Sequence, residues 1–203
     1  VEIQVASLSS IRDKIKRLVK QHQVLVVKPI VCRKQLVWLD QQDGNIVRRR
    51  YSPKRGTLLD AFHELMYFTQ VFPHPNLQLE LPLIDIEEWR YRGHGKRRRW
   101  RKNDFEIQDR KLVHVHEATT LATRDDLRRL ADCKLPKTFH TGDLAQGLKI
   151  DRWIAQRIAY CFRKMKVTRQ VGKSGNALLY EFTQPKSRAP RRRARKASPK
   201  SLK

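Results

Sequence analysis

The stretch from residue 138 to residue 182 limits the possible folds of this chain more than any other part of it. Two helical segments come first, at about residues 141–148 and 152–165, and Thr141 and Asp151 stand where amino-terminal caps belong. Two β-like runs follow at residues 167–171 and 177–182, separated by a glycine-rich turn. The order is therefore helix, turn, helix, hairpin.

The second helical segment carries two different faces. Its apolar residues recur at helical spacing and predict one buried stripe, made of Ile154, Ile158, Cys161, Phe162 and Met165. The opposite face carries basic, aromatic and amide side chains: Trp153, Gln156, Arg157, Tyr160 and Lys164. A helix with these two faces can pack its apolar face against the protein core and present its polar face to a nucleic acid.

This arrangement resembles winged helix-turn-helix DNA-binding domains. The resemblance implies that the second helix enters the major groove and that the hairpin contacts the backbone. It assigns DNA contacts to Arg152, Gln156, Arg157, Tyr160, Lys164 and, in the hairpin, Lys173. The alternative is a winged helix that serves protein contacts or dimerisation, so a homodimer is compatible with the pattern.

The charge of the chain points to a polyanionic partner. Its 203 residues include 45 lysines and arginines against 20 acidic residues, which gives a net charge of +25. No apolar run approaches transmembrane length, and no basic amphipathic helix carries an apolar anchor, so we expect duplex DNA and no membrane. The three cysteines are too few and too far apart for a disulfide framework. This usage predicts a cytoplasmic protein, nucleoid-associated when bound to DNA.

The first part of the chain reads as a small α/β sheet. Its predicted elements are a strand at 1–6, a helix opened by Ser10, strands at 24–31, 35–39 and 45–50, a helix at 57–68 and a strand at 77–83. Pro82 marks the last strand as an edge or a bulge. We predict short strands at 103–122 and a helix capped by Thr123.

Two strongly basic segments complete the organisation. Residues 90–102 hold eight lysines and arginines, including Arg97, Arg98, Arg99 and Arg101, which we expect to contact phosphates. Residues 186–203 hold nine basic residues and no acidic ones, which predicts a disordered tail that binds nucleic acid or directs localisation. The predicted division is an α/β domain at 1–89, a basic connector at 90–103, a winged-helix domain at 104–184 and the tail at 185–203.

The one candidate for catalysis is the pair Glu2 and Gln4, which alternation places on one face of a strand. A carboxylate there can ligate Mg²⁺, and a polar group two residues on can hold water or a phosphate. With the capped basic helix and the strands after it, this segment resembles the restriction-endonuclease-like, or PD-(D/E)xK, fold from its third motif onward. It resembles more closely a prokaryotic family of uncharacterised proteins that joins such a core to a carboxyl-terminal winged helix.

That resemblance implies roles for three residues. Glu2 would be the metal-binding acid for Mg²⁺ or Mn²⁺, Gln4 would replace the usual lysine, and Lys14 would be a migrated basic group. The acidic residue of the preceding strand has no counterpart, because the chain opens on the Glu-x-Gln strand. We therefore expect upstream residues to complete the domain, and we expect this chain alone to be inactive.

The sequence as a whole predicts an α/β (α+β) protein: a partial restriction-endonuclease-like mixed sheet, a winged helix and a basic tail. The predicted function is DNA binding, with metal-dependent phosphodiester hydrolysis by the intact protein. One alternative is a non-catalytic winged-helix regulator. The other is an RNA-associated protein, because charge alone does not choose the nucleic acid.

Overall fold

A computed structural model describes residues 1–93 and 104–183 of the chain. The strands are β1 (Glu2–Ile3), β2 (Val24–Val27), β3 (Ile30–Leu39), β4 (Ile46–Tyr51), β5 (Leu77–Arg92), β6 (Phe105–Leu121), β7 (Thr168–Ser174) and β8 (Ala177–Phe182). The helices are α1 (Arg12–Leu18), α2 (Phe62–Phe68), α3 (Arg124–Leu130), α4 (Thr141–Leu148) and α5 (Arg152–Lys164). Short 3₁₀ turns at Leu8–Ile11 and Leu58–Ala61 lead into α1 and α2.

Strands β1 to β6 form one mixed sheet with β5 in its interior. Leu79 pairs with Val26 of β2 on one side and with Leu121 of β6 on the other. Further along, Trp89 pairs with β3 and with β6 in the same way. Strands β2 and β3 therefore lie end to end along one edge of β5. The break between them falls at Pro29, which has no N–H to donate to the ladder.

The two ends of this sheet differ, and we name them separately. The helix-backed half consists of β1, β2 and the adjoining parts of β5 and β6. There β1, α1 and β2 form a parallel strand–helix–strand unit. Its buried side chains, such as Leu77, Leu79 and Leu81, join one hydrophobic cluster with residues of α2 and α5. Phe62 and Phe162 meet edge to face inside that cluster at 5.8 Å between ring centroids.

The open half consists of β3, β4 and the parts of β5 and β6 that pair beyond Pro82. All six residues of β4 are exposed, and the buried Leu36, Val37, Leu39 and Ile86 stand apart from the main hydrophobic cluster. At its centre Glu88, only 1 % exposed, accepts hydrogen bonds from Lys34 (2.8 Å), Arg110 (3.0 Å) and Arg90. Burial alone would raise the pKa of Glu88, but these bonds outweigh it and lower the pKa to about 2.

Aromatic rings and cations complete the open half. Trp38 and Phe105 meet edge to face at 5.8 Å, and the Arg90 guanidinium lies 4.0 Å from the Phe105 centroid. The Lys111 ammonium lies 3.9 Å from the centroid of Trp89, whose indole N–H donates to Glu87. These rings are therefore engaged within the sheet.

Several strands differ from the predictions. The first strand covers Glu2–Ile3 rather than residues 1–6, and the strand at 77–83 extends to Arg92. The ladder shifts register at Pro82, so Pro82 marks a bulge and not an edge strand, the other interpretation that the sequence allowed. In place of short strands at 103–122 there is one strand of 17 residues. It pairs with β5 rather than with the predicted winged helix, and the two-domain division itself stays a prediction.

The remaining elements, α3 to β8, follow the sequence closely. Thr123 and Asp126 form the expected capping box of α3. The cap of α4 is His140 rather than Thr141, because His140 Nδ1 accepts the Asp143 N–H (3.0 Å) while Asp143 accepts the His140 N–H (2.8 Å). Strands β7 and β8 form a separate antiparallel hairpin, and Phe139, between α3 and α4, bridges to Tyr180.

The coarse fold prediction is confirmed, because the described residues form a mixed sheet with five α-helices in an α/β arrangement. Across residues 1–93 and 104–183, none of the helices has the length and apolar character needed to cross a bilayer. The predictions for Arg97, Arg98, Arg99 and Arg101, and for the tail at 185–203, concern residues outside the described ranges.

Candidate nucleic-acid interface

Helix α5 presents an oblique row of polar residues at intervals of four residues, which we call the polar stripe. Arg152, Gln156, Tyr160 and Lys164 are all exposed, and side chains four apart lie above one another on a helix. The Lys164 ammonium lies 5.9 Å from the Tyr160 ring centroid. Four of the predicted DNA-binding residues of α5 therefore form one exposed row along the helix.

The opposite face of α5 holds the helix in place. Ile158, Cys161, Phe162 and Met165 are buried as predicted, while Ile154 is only half-buried. Two alanines complete the buried face, Ala155 and Ala159, because small side chains allow close approach of the neighbouring elements. Burial raises the pKa of the Cys161 thiol to about 12, so this cysteine stays protonated.

Arg157 differs from the other predicted DNA contacts, because it is engaged with α2. Its guanidinium donates to His63 Nδ1 and lies 5.0 Å from the ring centroid of Trp153. Trp153 in turn stacks on His63 with centroids 5.1 Å apart and planes 10° apart. Burial, and then the charge of Arg157, lower the pKa of His63, which favours the neutral ring that accepts this bond.

His63 was not among the predicted site residues. It lies 94 residues before Arg157 in the chain, and no local pattern links them. The sequence shows only that His63 lies near the start of a capped helix, and this says nothing about a contact between α2 and α5.

The β7–β8 hairpin carries Lys173 close to its turn. Lys173 is exposed and pairs with Leu178, one step before the last pair, Ser174 with Ala177. Gly175 has φ of +57°, a conformation that glycine adopts without strain, and it closes the turn with Asn176. Lys173 therefore lies on the strand just before the tip rather than in the turn itself.

The predicted catalytic residues lie together at the edge of the helix-backed half. Glu2 and Lys14 form an ion pair of 2.7 Å. Gln4 faces the 3₁₀ turn, where its amide donates to the Ser7 carbonyl (2.8 Å) and to Ser10 Oγ (2.6 Å). The structure thus brings Glu2 and Lys14 together and ties Gln4 to its own loop.

These residues do not by themselves form a Mg²⁺ or Mn²⁺ site. Glu2 offers a single carboxylate that already holds an ammonium group, whereas Mg²⁺ requires an octahedral set of oxygens. Within residues 1–93 and 104–183, no three His, Cys, Asp or Glu side chains are grouped to hold a metal ion. We therefore derive no metal-dependent step.

Comparisons with known proteins place the first part of the chain in a family. A model described as a domain of unknown function, DUF8091, matches residues 1–122. The chain belongs to the DUF8091 family. An uncharacterised protein of Treponema pallidum (strain Nichols) is 32% identical over 146 residues, which cover 72% of this chain. The aligned part spans 57% of the length of that relative. No solved structure matches the chain.

The DUF8091 segment, residues 1–122, corresponds to the mixed sheet and the helices between its strands. It runs from β1 to the end of β6 and contains all six strands of the mixed sheet. The elements α3, α4, α5, β7 and β8 follow it. The contact between His63 and Arg157 therefore joins the DUF8091 segment to the helix that carries the polar stripe.

Proposed function

We propose that the chain binds duplex DNA through α5 and the β7–β8 hairpin. The observation that carries this proposal is the exposed polar stripe of α5, formed by Arg152, Gln156, Tyr160 and Lys164. Arginine and glutamine read base edges in the major groove, and lysine and tyrosine contact phosphates. The net charge of +25 supports the same conclusion.

The order and pairing of the elements support a winged helix as the fold of residues 123–183. Helices α3, α4 and α5 precede a two-stranded hairpin, and Phe139 adds a bridge to β8. In a winged helix the helix after the turn enters the groove, and here that helix is α5. Lys173 near the hairpin turn is placed to contact the backbone beside it.

A matched pair of arginine variants tests the proposal. We expect Arg152→Ala to weaken binding to a fluorescein-labelled duplex by about 5- to 100-fold, because each good base contact contributes about 1–3 kcal/mol. Arg17→Ala removes the same charge from an exposed position on α1 and should leave the affinity nearly unchanged. Fluorescence anisotropy at two salt concentrations measures both.

Two results would refute this proposal. Equal losses in the two variants would mean that charge, and not the stripe, governs binding. Duplex or single-stranded RNA that competes as well as DNA would favour the RNA-associated alternative, because A-form RNA has a major groove too narrow for α5.

Metal-dependent hydrolysis and the restriction-endonuclease-like fold stay predictions for the intact protein. The parallel unit of β1, α1 and β2 is compatible with the predicted order of elements. The ion pair of Glu2 and Lys14 places two of the predicted residues together, but it falls short of a metal site.

A further inference from the structure

A cavity of about 290 Å³ lies in the DUF8091 segment where β2 breaks from β3. Its lining comes from the break itself, from the loop after β4 and from α2 with the turn before it, and includes Lys28, Lys34, Lys54 and His63. This volume is at the lower end of the range for ligand pockets, about 300–1,000 Å³. It suits a small polar group. The ammonium groups of Lys28 and Lys54 suit an anion, whereas that of Lys34 is already paired with Glu88.

Lys28 gives the cavity a buried positive charge. The residue is only 6 % exposed, and its ammonium donates to the carbonyls of Val5 (2.9 Å) and Ala6 (2.6 Å). An ammonium has three N–H groups, so these two bonds leave one more to donate. Burial lowers the pKa of Lys28, while the charge of Glu64 opposes that shift. A bound anion would stabilise this buried charge.

The two acidic residues of the lining are committed to other bonds. Asp60 accepts the N–H of Thr57 (2.9 Å), which caps the turn before α2. Glu64 accepts the N–H of Leu8 (2.8 Å) and the hydroxyl of Ser7 (2.9 Å). Their negative charge is therefore partly offset by donors outside the cavity, which reduces the repulsion that an anion would meet.

The loop that carries Lys54 is anchored at both ends. The Ser52 N–H donates to the Lys34 carbonyl (2.8 Å), and the Gly56 N–H donates to the Cys32 carbonyl (3.2 Å). A Cβ on Gly56 would lie 2.1 Å from the Val31 carbonyl oxygen, so only glycine permits this approach to β3. Lys54 itself is exposed. The cavity therefore combines the exposed Lys54, on an anchored loop, with the buried Lys28.

His63 connects this cavity to α5. It lines the cavity and also contacts Arg157 and Trp153 of α5. His63 thus links the cavity to the helix that we propose binds DNA. Arg157 adds a further positive charge at the junction.

We propose that the cavity lined by Lys28 and Lys54 binds a phosphate group. This proposal rests in part on the proposed function, because one source of the phosphate is the backbone of DNA bound at α5. A free phosphate ion or a phosphorylated small molecule is the other source. In the first case the DUF8091 segment and α5 contact one nucleic acid together.

The DNA arm of the test uses Lys54→Ala, with Lys20→Ala as the matched control. Both lysines are exposed, so both variants should fold, and their melting temperatures in chloride buffer verify this. We expect Lys54→Ala to weaken duplex binding several-fold. It should also reduce the slope of log K against log salt by about 0.9, the value for one phosphate contact. Lys20→Ala should leave the slope unchanged.

The ion arm adds inorganic phosphate at constant ionic strength and measures the melting temperature Tm. We expect wild type and Lys20→Ala to gain about 2–4 °C at several times the dissociation constant, and Lys54→Ala to gain much less. A response in the ion arm without a change in the DNA slope supports the site and assigns it to a free phosphate. A Lys54→Ala variant that matches Lys20→Ala in both arms overturns the proposal.

Arg152→Ala separates this failure from that of the proposed function. If Arg152→Ala weakens DNA binding while Lys54→Ala has no effect in either arm, α5 binds DNA and the cavity proposal fails. If Arg152→Ala has no effect while phosphate raises Tm only when Lys54 is present, the cavity binds phosphate and the function proposed for α5 fails.

Discussion

The two halves of the mixed sheet are held together by different forces. The helix-backed half buries aliphatic and aromatic side chains against α1, α2 and α5 in one cluster. The open half surrounds the buried carboxylate of Glu88 with three cations and sets arginines and lysines over its aromatic rings. The same strand, β5, crosses both halves. One strand can therefore change its means of stabilisation along its length.

This difference has consequences for stability. Apolar burial contributes about 25 cal/mol per Å² and involves no group that titrates or can be screened. Ion pairs with partly exposed partners contribute less and weaken as their groups titrate or are screened. We therefore expect the helix-backed half to set the free energy of unfolding, and the open half to respond to solution conditions.

The largest effect should come from removing a ring of the hydrophobic cluster that covers the helix-backed half. Phe162 is fully buried and meets Phe62 edge to face, so Phe162→Ala should lower the free energy of unfolding by about 3–5 kcal/mol. The matched change in the open half is Phe105→Ala. Phe105 is only half-buried, and we expect a loss of about 1–2 kcal/mol. Urea denaturation measures the free energy of unfolding of both variants. Equal losses would mean that the two halves of the sheet do not differ in how much apolar burial stabilises them.

An intermediate effect should come from the buried carboxylate. Glu88→Gln keeps the shape of the side chain but leaves Lys34, Arg90 and Arg110 without their anion. We expect a loss of about 2–3 kcal/mol at pH 7, below the 3–5 kcal/mol of fully buried pairs, because the side chains of Lys34 and Arg110 are 29% and 52% exposed. Urea denaturation of the variant at pH 7 measures this loss.

The pH dependence of the same variant gives a second check. The folded pKa of Glu88, about 2, lies below its ordinary value of 4.5. The stabilisation is therefore complete above pH 4.5 and is lost as the pH falls through about 2. The gap between wild type and Glu88→Gln should close over that window. If Glu88→Gln is as stable as wild type, the desolvation penalty of burying the carboxylate equals the stabilisation from its ion pairs.

The same contrast explains which parts of the fold the sequence could predict. The elements α4, α5 and β8 lie within one residue of their predicted limits, because caps, helical spacing and a Gly-Asn turn are local signals. In the open half, the sequence predicted strands at 35–39 and 45–50, but it assigned the end of β5 to a basic connector and β6 to short strands. Glu88, Arg90 and Arg110 are charged residues inside strands, and together with Lys34 they form ion pairs across β3, β5 and β6. A pairing of that kind leaves no local pattern.

The candidate interface shows the same limit. The stripe of Arg152, Gln156, Tyr160 and Lys164 follows from helical spacing, and it could be predicted. The engagement of Arg157 by His63 could not, because it depends on how α2 packs against α5. The cavity with Lys28 and Lys54 was missed for the same reason, since its lining comes from segments joined only by the fold.

The smallest effect should come from a pair of exposed hydrogen bonds in the open half. Gln108 of β6 donates to Asp43 Oδ1 (2.8 Å) and accepts the Asp43 N–H (2.9 Å), which ties the β3–β4 turn to β6. Because both residues are exposed, Gln108→Ala should lower the free energy of unfolding by only about 0.5–1 kcal/mol. Its local effect should be larger, since Asp43 has φ of 55° and this bond helps to hold the turn.

Amide hydrogen exchange separates the local effect from the global one. In Gln108→Ala the amides of β4 should exchange faster, while those of β2 should keep their protection. Gln78→Ala is the matched control, because Gln78 is an exposed residue of β5 in the helix-backed half, and it should change neither set. Faster exchange in both strands of Gln108→Ala would mean that the sheet opens as one unit. The two halves would then share a single stability in spite of their different chemistry.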